Sequence, residues 1–301
     1  MLSSHLDHRL EAKFKELYRV HQERAANIDW SYHEFLPWDQ GQDFKRVPYE
    51  PGQGNLSESL RIAVETALLT EVNLPWFTSH LNETFKGSFS VMHDFIHTWT
   101  AEEDQHSSLL ETYLLLTRNG NPHTIHQLRK QTVEHGYVND FTTPLETLAY
   151  TTIQELATMV FYNNVAKVAA EHDRTLSTLL RRLSKDETLH YAFYRDAVKS
   201  HLEVNENYIF YIADVMIKFT MPGEVIPDFE GRMSIIAKDA SYGPIEYFDQ
   251  VFEVLIEYWG IKQLRPSLPE AEEARLRVLK HYDRLKKVCT RLRAAKSRAA
   301  L

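Results

Sequence analysis

Residues Trp99–Leu110 read WTAEEDQHSSLL, and the fold turns on how this stretch is read. Glu103 and His106 stand three apart inside a segment with helical apolar spacing. On a helix such a pair projects from nearly one face, about 60° apart, so both side chains can reach one metal ion. A single Glu-x-x-His pair is at chance level in a chain with 15 histidines. A second pair, Glu187 and His190, occurs in KDETLHYAFY. Moving outward, Glu71 in ALLTEVNLPWF precedes Glu103 by 32 residues (103 − 71 = 32). Glu155 in TTIQELATMVF precedes Glu187 by the same step (187 − 155 = 32). The midpoints are Gly87, a helix stop, and position 171 in the polar turn EHDR. Antiparallel helices joined at those turns bring Glu71 level with Glu103, and Glu155 level with Glu187, each ~24 Å from its turn.

Two such hairpins packed together make a four-helix bundle with four Glu and two His at one height. This oxygen-rich set with two nitrogens suits two iron or two manganese ions bridged by carboxylates. Without cations, each buried carboxylate would cost several kcal/mol to desolvate. The competing reading is a set of surface charges with coincident spacing. The apolar neighbours Leu69, Val72, Ile153 and Leu156 argue for burial. Glu102 satisfies neither spacing and falls outside the ligand set, either behind the ligands or on the surface. Pro75 lacks the N–H that would bond the Glu71 carbonyl, so the helix is expected to be distorted there.

The rest of the chain also reads as helices. NLSESLRIAVETALLTEVNLPWFTSHLNETF is expected to be one long helix, and Ser88 or Ser90 to cap the next. Asn121-Pro122 opens a helix that Gly136 closes; Thr143-Pro144 with Glu146 forms a capping box; Asp173 caps the helix after the second turn. Three or four more helices follow Asn205, and DFKRVPYEPGQGN (43–55) is irregular. No composition shift divides the chain, so a single domain over 1–301 is expected, with the bundle at about 55–202 and added helices at about 205–301.

Composition bounds the function. The chain has 301 residues, 43% hydrophobic and 25% charged, ordinary for a soluble globular protein. A formal charge of −8 argues against a nucleic-acid binder. Lone Cys289 excludes an intramolecular disulfide and any cysteine-built metal site. The N-terminus MLSSHLDHRLEAKFKEL has no apolar h-region, and no run approaches the ~20 residues of a membrane helix, so a cytoplasmic protein is expected. The end is basic: Lys280, Arg284, Lys286, Lys287, Arg291, Arg293, Lys296 and Arg298 face one acid, Asp283. This is either a solvated terminal helix or a docking patch for an acidic partner. His93 and His97 in HDFIH lie ~13 Å from His106 in the nearer case and read as ordinary polar positions.

TEVNLP, WTAEEDQHSSLL, YTTIQELAT and KDETLHYAFY, in this order, resemble the corresponding segments of the soluble acyl-acyl-carrier-protein desaturases. The resemblance runs from about Trp30 to the last helices. It implies an all-α, ferritin-like four-helix bundle with additional helices and two Fe ions held by Glu71, Glu103, His106, Glu155, Glu187 and His190. It further implies that Thr158 stands beside the oxygen site, that Asp186 is an acid behind a ligand, and that Trp30 lies on an electron route with His106 and Asp186. Ser107 replaces a frequent glycine, and Val72-Asn73 replace the more usual acid and alanine. The implied activity is O2-dependent desaturation of a fatty acyl chain on acyl carrier protein, with two electrons from a ferredoxin and a homodimeric enzyme. The N-terminus resembles a bacterial or already mature form. A ribonucleotide reductase small subunit would need a radical tyrosine where Leu110 stands, and Tyr113 lies too far along. A di-iron hydroxylase or N-oxygenase of the same bundle stays open. An iron-storage bundle would not need the helices after residue 205.

Overall fold

The computed structural model describes residues 4–299; residues 1–3, 300 and 301 of the expected 1–301 span lie outside the described residues. The described residues hold twelve α-helices and no strand. In chain order these are α1 (Glu11–Ala26), α2 (Glu58–Glu71), α3 (Leu74–Thr84), α4 (Ser90–Leu116), α5 (Pro122–His135), α6 (Pro144–Ala169) and α7 (Arg174–Val204). They continue with α8 (Ile209–Lys218), α9 (Phe229–Asp239), α10 (Pro244–Tyr247), α11 (Glu253–Tyr258) and α12 (Pro269–Ala299). Helices α2–α3, α4, α6 and α7 form the bundle. The segment after Asn205 supplies α8, α9, a continuous α10–π-turn–α11 stretch and α12, which accounts for the expected number.

The two turns fall where the spacing put them. Gly87 adopts φ +77, a conformation that favours glycine, between α3 and α4. Asp173 accepts a hydrogen bond from the Leu176 N–H (2.8 Å) and starts α7. Two cross-hairpin bonds then set the register of α6 against α7. Ser177 donates to the Ala166 carbonyl (2.8 Å) and Ser184 to the Met159 carbonyl (3.2 Å). Continued by one turn, that register places Glu155 opposite Glu187.

Other helix ends follow local chemistry. Asn121 accepts from the N–H groups of His123 (2.9 Å) and Thr124 (3.3 Å), and Gly136 ends α5 at φ +82. The Glu146 carboxylate accepts from the Thr143 N–H (3.3 Å) and hydroxyl (2.7 Å).

Two expectations are corrected. The helix expected over 55–85 is broken into α2 and α3, and Glu71 is the last residue of α2. Pro75 offers no N–H to the Glu71 carbonyl, so Asn73 begins a new helix, its carbonyl accepting from Trp76 (2.9 Å) and Phe77 (3.2 Å). Phe89, not Ser88 or Ser90, occupies the cap position of α4, and no side chain caps it. The Ser88 N–H closes the turn on the Phe85 carbonyl (2.9 Å), and Ser90 is already inside the helix.

Around the bundle, α1 packs on α4 and α7, α9 on α2, and α12 on α8. Nearly all the buried apolar residues join one contiguous core from Leu6 to Cys289. No helix of the described residues is long and apolar enough to cross a membrane.

Candidate metal centre

Helices α2, α4, α6 and α7 bring six side chains to one level. Glu71, Glu103, His106 and Glu187 place one ligand atom each within 4.8 Å of one another, and so do Glu103, Glu155, Glu187 and His190. Glu103 and Glu187 belong to both groups. The Glu103 carboxylate lies between the histidines, with Oε2 at 3.0 Å from His106 Nδ1 and Oε1 at 2.8 Å from His190 Nδ1. Glu187 Oε1 is 3.5 Å from His106 Nδ1, Glu71 Oε2 is 3.9 Å from the same atom, and Glu155 Oε2 is 3.7 Å from His190 Nδ1.

The outer nitrogens of both histidines are tied to acids in a crossed pattern. His106 Nε2 donates to Asp186 Oδ2 (3.3 Å), the acid just before Glu187 on α7. His190 Nε2 donates to Glu102 Oε2 (2.9 Å), the acid just before Glu103 on α4. Carboxylates only accept, so Nε2 carries a proton in each ring, and Nδ1 is left on the inner side to offer its lone pair to a cation or, without one, to take a second proton. His106 Nδ1, His190 Nδ1 and Glu187 Oε1 are buried and have no hydrogen-bond partner. Lone pairs facing carboxylate oxygens repel unless a cation stands between them, so the donor set fits two divalent ions.

Electrostatics says the same. Burial raises the Glu71 carboxyl to about 7, and the Glu103 charge adds to the shift. Burial and then Glu103 push Glu187 well above the usual carboxylate range. Burial, the largest single influence, would lower both histidines, but the Glu103 charge and the bonds to the surrounding carboxylates together outweigh it and push His106 and His190 well above their ordinary value. Without metal the cluster must hold protons to limit its charge.

The two carboxylates outside the Glu-x-x-His pairs each receive one donor. The Trp99 indole N–H donates to Glu155 Oε1 (3.1 Å), and the Tyr162 hydroxyl to Glu71 Oε1 (2.5 Å). Behind His106, the Trp30 indole N–H donates to Asp186 Oδ2 (2.7 Å), and its ring lies 6.4 Å from the imidazole. Arg182 pairs with the other Asp186 oxygen and sits 5.0 Å over the Trp30 ring. Behind His190, Glu102 is also bonded to His21 Nε2 of α1 (3.0 Å), and burial, which raises its pKa, is outweighed by the two histidine bonds, which bring it down to about 2.

A small apolar cavity, about 40 Å³, adjoins the cluster at Glu71. Thr158 lines it, one turn after Glu155, with its hydroxyl donating to the Gln154 carbonyl (3.0 Å). Tyr162, Phe161, Met221, Phe229, Met233 and Tyr242 form much of the remaining wall.

A model of the fatty acid desaturase family matches residues 4–300. The chain belongs to that family. Among its relatives, DesA1 of Mycobacterium tuberculosis, named as an acyl-[acyl-carrier-protein] desaturase, is 27% identical over 281 residues, 89% of this chain and 82% of that protein. Stearoyl-[acyl-carrier-protein] 9-desaturase 3 of Arabidopsis thaliana is 25% identical over 260 residues, 80% of this chain and 65% of that protein. The X-ray structure of DesA2 from Mycobacterium tuberculosis superposes with a TM-score of 0.67 at 23% identity, covering 88% of this chain and 99% of that one, so the fold is shared.

The nine residues to which the family resemblance gives a role lie in or beside the cluster. His93 and His97 are not in it, and His97 is exposed on α4. The Tyr113 hydroxyl is committed to Asp173 (2.8 Å) at the turn between α6 and α7. Of the two places open to Glu102, behind the ligands or on the surface, its bond to His190 decides for the first, and the acid preceding Glu103 repeats the acid preceding Glu187. Sequence reading missed Tyr162, which stands two helical turns after Glu155 and so on the same face. His21 carries no local signal, since only the packing of α1 brings it to Glu102.

Proposed function

We propose that this protein is an O2-dependent acyl-[acyl-carrier-protein] desaturase that introduces a cis double bond into a saturated fatty acyl chain. Glu71, Glu103, His106, Glu155, Glu187 and His190 would hold two iron ions, with Glu103 and Glu187 shared between them. An unactivated methylene has no acidic proton, and a reduced di-iron pair supplies the oxidant from O2 that side chains cannot provide. The balance is one O2, two electrons and two protons for each double bond and two waters formed. The observation that carries this reading is the meeting of the carboxylate–histidine cluster with an apolar cavity at Glu71 and Thr158.

The chain's own groups have separable tasks. The cavity wall excludes water and places methylenes beside the cluster. Asp186 and Glu102 fix the histidine tautomers and rings. Trp30, hydrogen-bonded to Asp186 between His106 and Arg182, is positioned for electron entry from a ferredoxin. Thr158 lines the cavity beside the cluster, its hydroxyl donating to the Gln154 carbonyl. We read the chain as one domain, acting as a cytoplasmic homodimer.

The basic face of α12 is assigned to the acidic carrier protein. Arg284, Lys287, Arg291 and Arg298 recur at helical spacing and are exposed, beside half-exposed Val288 and Leu292. Arg293 is instead paired with Asp249 and anchors the helix. Cys289 also donates to the Pro244 carbonyl (3.4 Å), two residues from the cavity-lining Tyr242. The double variant Lys287→Ala/Arg291→Ala is expected to raise KM for acyl carrier protein several-fold at low salt with little change in kcat, because exposed charges act on encounter. An unchanged KM assigns this face to solvent.

The test of the function is to incubate the iron-loaded, reduced protein with a set of acyl carrier proteins, ferredoxin and O2, and to read the products by mass spectrometry. Acyl chains lighter by two hydrogens are expected. Acyl chains heavier by one oxygen would move the reading to a di-iron hydroxylase, and an inert mixture with two bound irons would remove the acyl substrate.

A further inference from the structure

The cavity at Glu71 is too small for the chain assigned to it. Its volume is about 40 Å³. An apolar cavity that binds one benzene measures about 150 Å³, and a long acyl chain needs several times that. The chain therefore enters only if part of the wall moves. The wall has two halves. One is built by α2 and α6, which belong to the bundle and carry Glu71 and Thr158. The other is built by Met221, Gly223, Phe229, Met233 and Tyr242, all from one segment with α9 at its centre.

This segment is fastened at both ends and lightly held between them. Tyr150 of α6 donates to the Thr220 carbonyl (3.0 Å), and the Tyr242 ring meets Phe161 of α6 edge-on at 5.3 Å. Between these points α9 packs on α2 and on the short turn Pro222–Val225, and its buried residue is Ile236. Most of α6, by contrast, is buried. Asp228 and Ser241 flank α9, both at φ +57, and Arg118 is the one other non-glycine residue with positive φ among the described residues. Left-handed backbone is unfavourable for a residue with a Cβ, so rotation at either junction relieves it, as a hinge requires.

One polar contact closes the span. Arg232 in the first turn of α9 pairs with Glu65 of α2, Nη2 to Oε1 at 2.7 Å, with the two side chains 12% and 8% exposed. Arg232 Nε donates to the Pro227 carbonyl (3.0 Å), but its Nη1 is buried with no hydrogen-bond partner. Arg61, on α2 itself, lies 3.5 Å from the other Glu65 oxygen. If α9 leaves, Glu65 keeps a cation and Arg232 gains water for the nitrogen now unpaired. The pair can therefore open without stranding a buried charge.

We propose that α9 is a hinged wall of the acyl site, latched to α2 by Arg232 and Glu65, and that it swings away about Asp228 and Ser241 to admit the chain along Phe229 and Met233. The proposal deepens the desaturase reading and rests on it for the identity of the ligand.

Hydrogen exchange of the full chain, read by mass spectrometry, measures the opening without a ligand. In the wild type the amides of α9 are expected to exchange at least about tenfold faster than those of α2 and α6. Arg232→Ala is expected to raise α9 exchange about tenfold further, with α6 and α7 unchanged, and Arg232→Lys, which keeps the charge, to fall between. Laurate is the binding probe, because it bypasses the carrier protein. The occupied form lacks the latch, so Arg232→Ala should bind laurate more tightly by the factor by which α9 exchange rises. Wild-type α9 as protected as α6 would overturn the proposal. So would α9 exchange that Arg232→Ala leaves unchanged, a bundle loosened along with α9, or faster exchange with unaltered laurate affinity. Laurate bound by neither protein would defeat the acyl reading of the cavity instead, while α9 exchange still reports whether the hinge and latch operate.

Discussion

Replacing Glu103 by alanine is expected to remove both metal positions at once. Glu103 belongs to both ligand groups and is the carboxylate 3.0 Å from His106 Nδ1 and 2.8 Å from His190 Nδ1. Its loss leaves each ion with fewer anionic ligands and leaves the two inner histidine nitrogens facing an empty space. Metal analysis of Glu103→Ala should find well under two ions per chain. Desaturation should fall by roughly a thousandfold or more, since the metal supplies several kcal/mol to the transition state and each 1.36 kcal/mol is tenfold. Glu71→Ala provides the contrast. Glu71 belongs to only one group, so that variant should retain about one ion. The His106→Ala and Glu155→Ala variants are likewise expected to abolish desaturation while circular dichroism still reports a helical fold. Two tightly held ions in Glu103→Ala would show that the cluster does not bind metal as drawn.

The largest effect on stability is expected at Phe95, away from the metal. Phe95 lies on α4 and is fully buried. It stacks on Phe193 of α7 and meets the edges of Tyr194 (5.3 Å) and, from α1, of His21 (5.2 Å) and Tyr18 (6.2 Å). Three helices share this one ring. Phe95→Ala is expected to cost about 3–5 kcal/mol, the transfer energy of the ring plus the cavity it leaves between elements that cannot collapse together. Urea unfolding of the metal-free protein measures it. His97→Ala on the exposed side of the same helix should lie within about 0.5 kcal/mol of wild type. A cost for Phe95→Ala below about 1 kcal/mol would mean that α1 does not pack on the bundle as described.

The hairpins were legible because helices have a fixed rise. Equal separations of 71 from 103 and of 155 from 187, each centred on a turn, are a one-dimensional record of two antiparallel pairs. Pro75 marked a distortion, but whether it would bend α2 or end it depended on whether Asn73 could start a new turn. The cap of α4 was misread because Ser88 and Ser90 have equal local propensity, and the turn at Gly87 decides which backbone group remains free. Arg293 looked like one more exposed cation until the π turn after Tyr247 brought Asp249 to it.

By itself the sequence determined which six side chains share a level and which helices carry them, because periodicity and turn position are local properties of the chain. What only the tertiary structure decided is how the bundle closes. Packing one hairpin on the other made Glu103 and Glu187 the carboxylates common to both ligand groups. It crossed the outer acids, so that His106 is held by Asp186 and His190 by Glu102. It set Tyr162 on Glu71 and opened an apolar cavity at that corner. These relations join residues from different helices, and the angle and offset between packed helices are set by side-chain interdigitation that no single segment encodes.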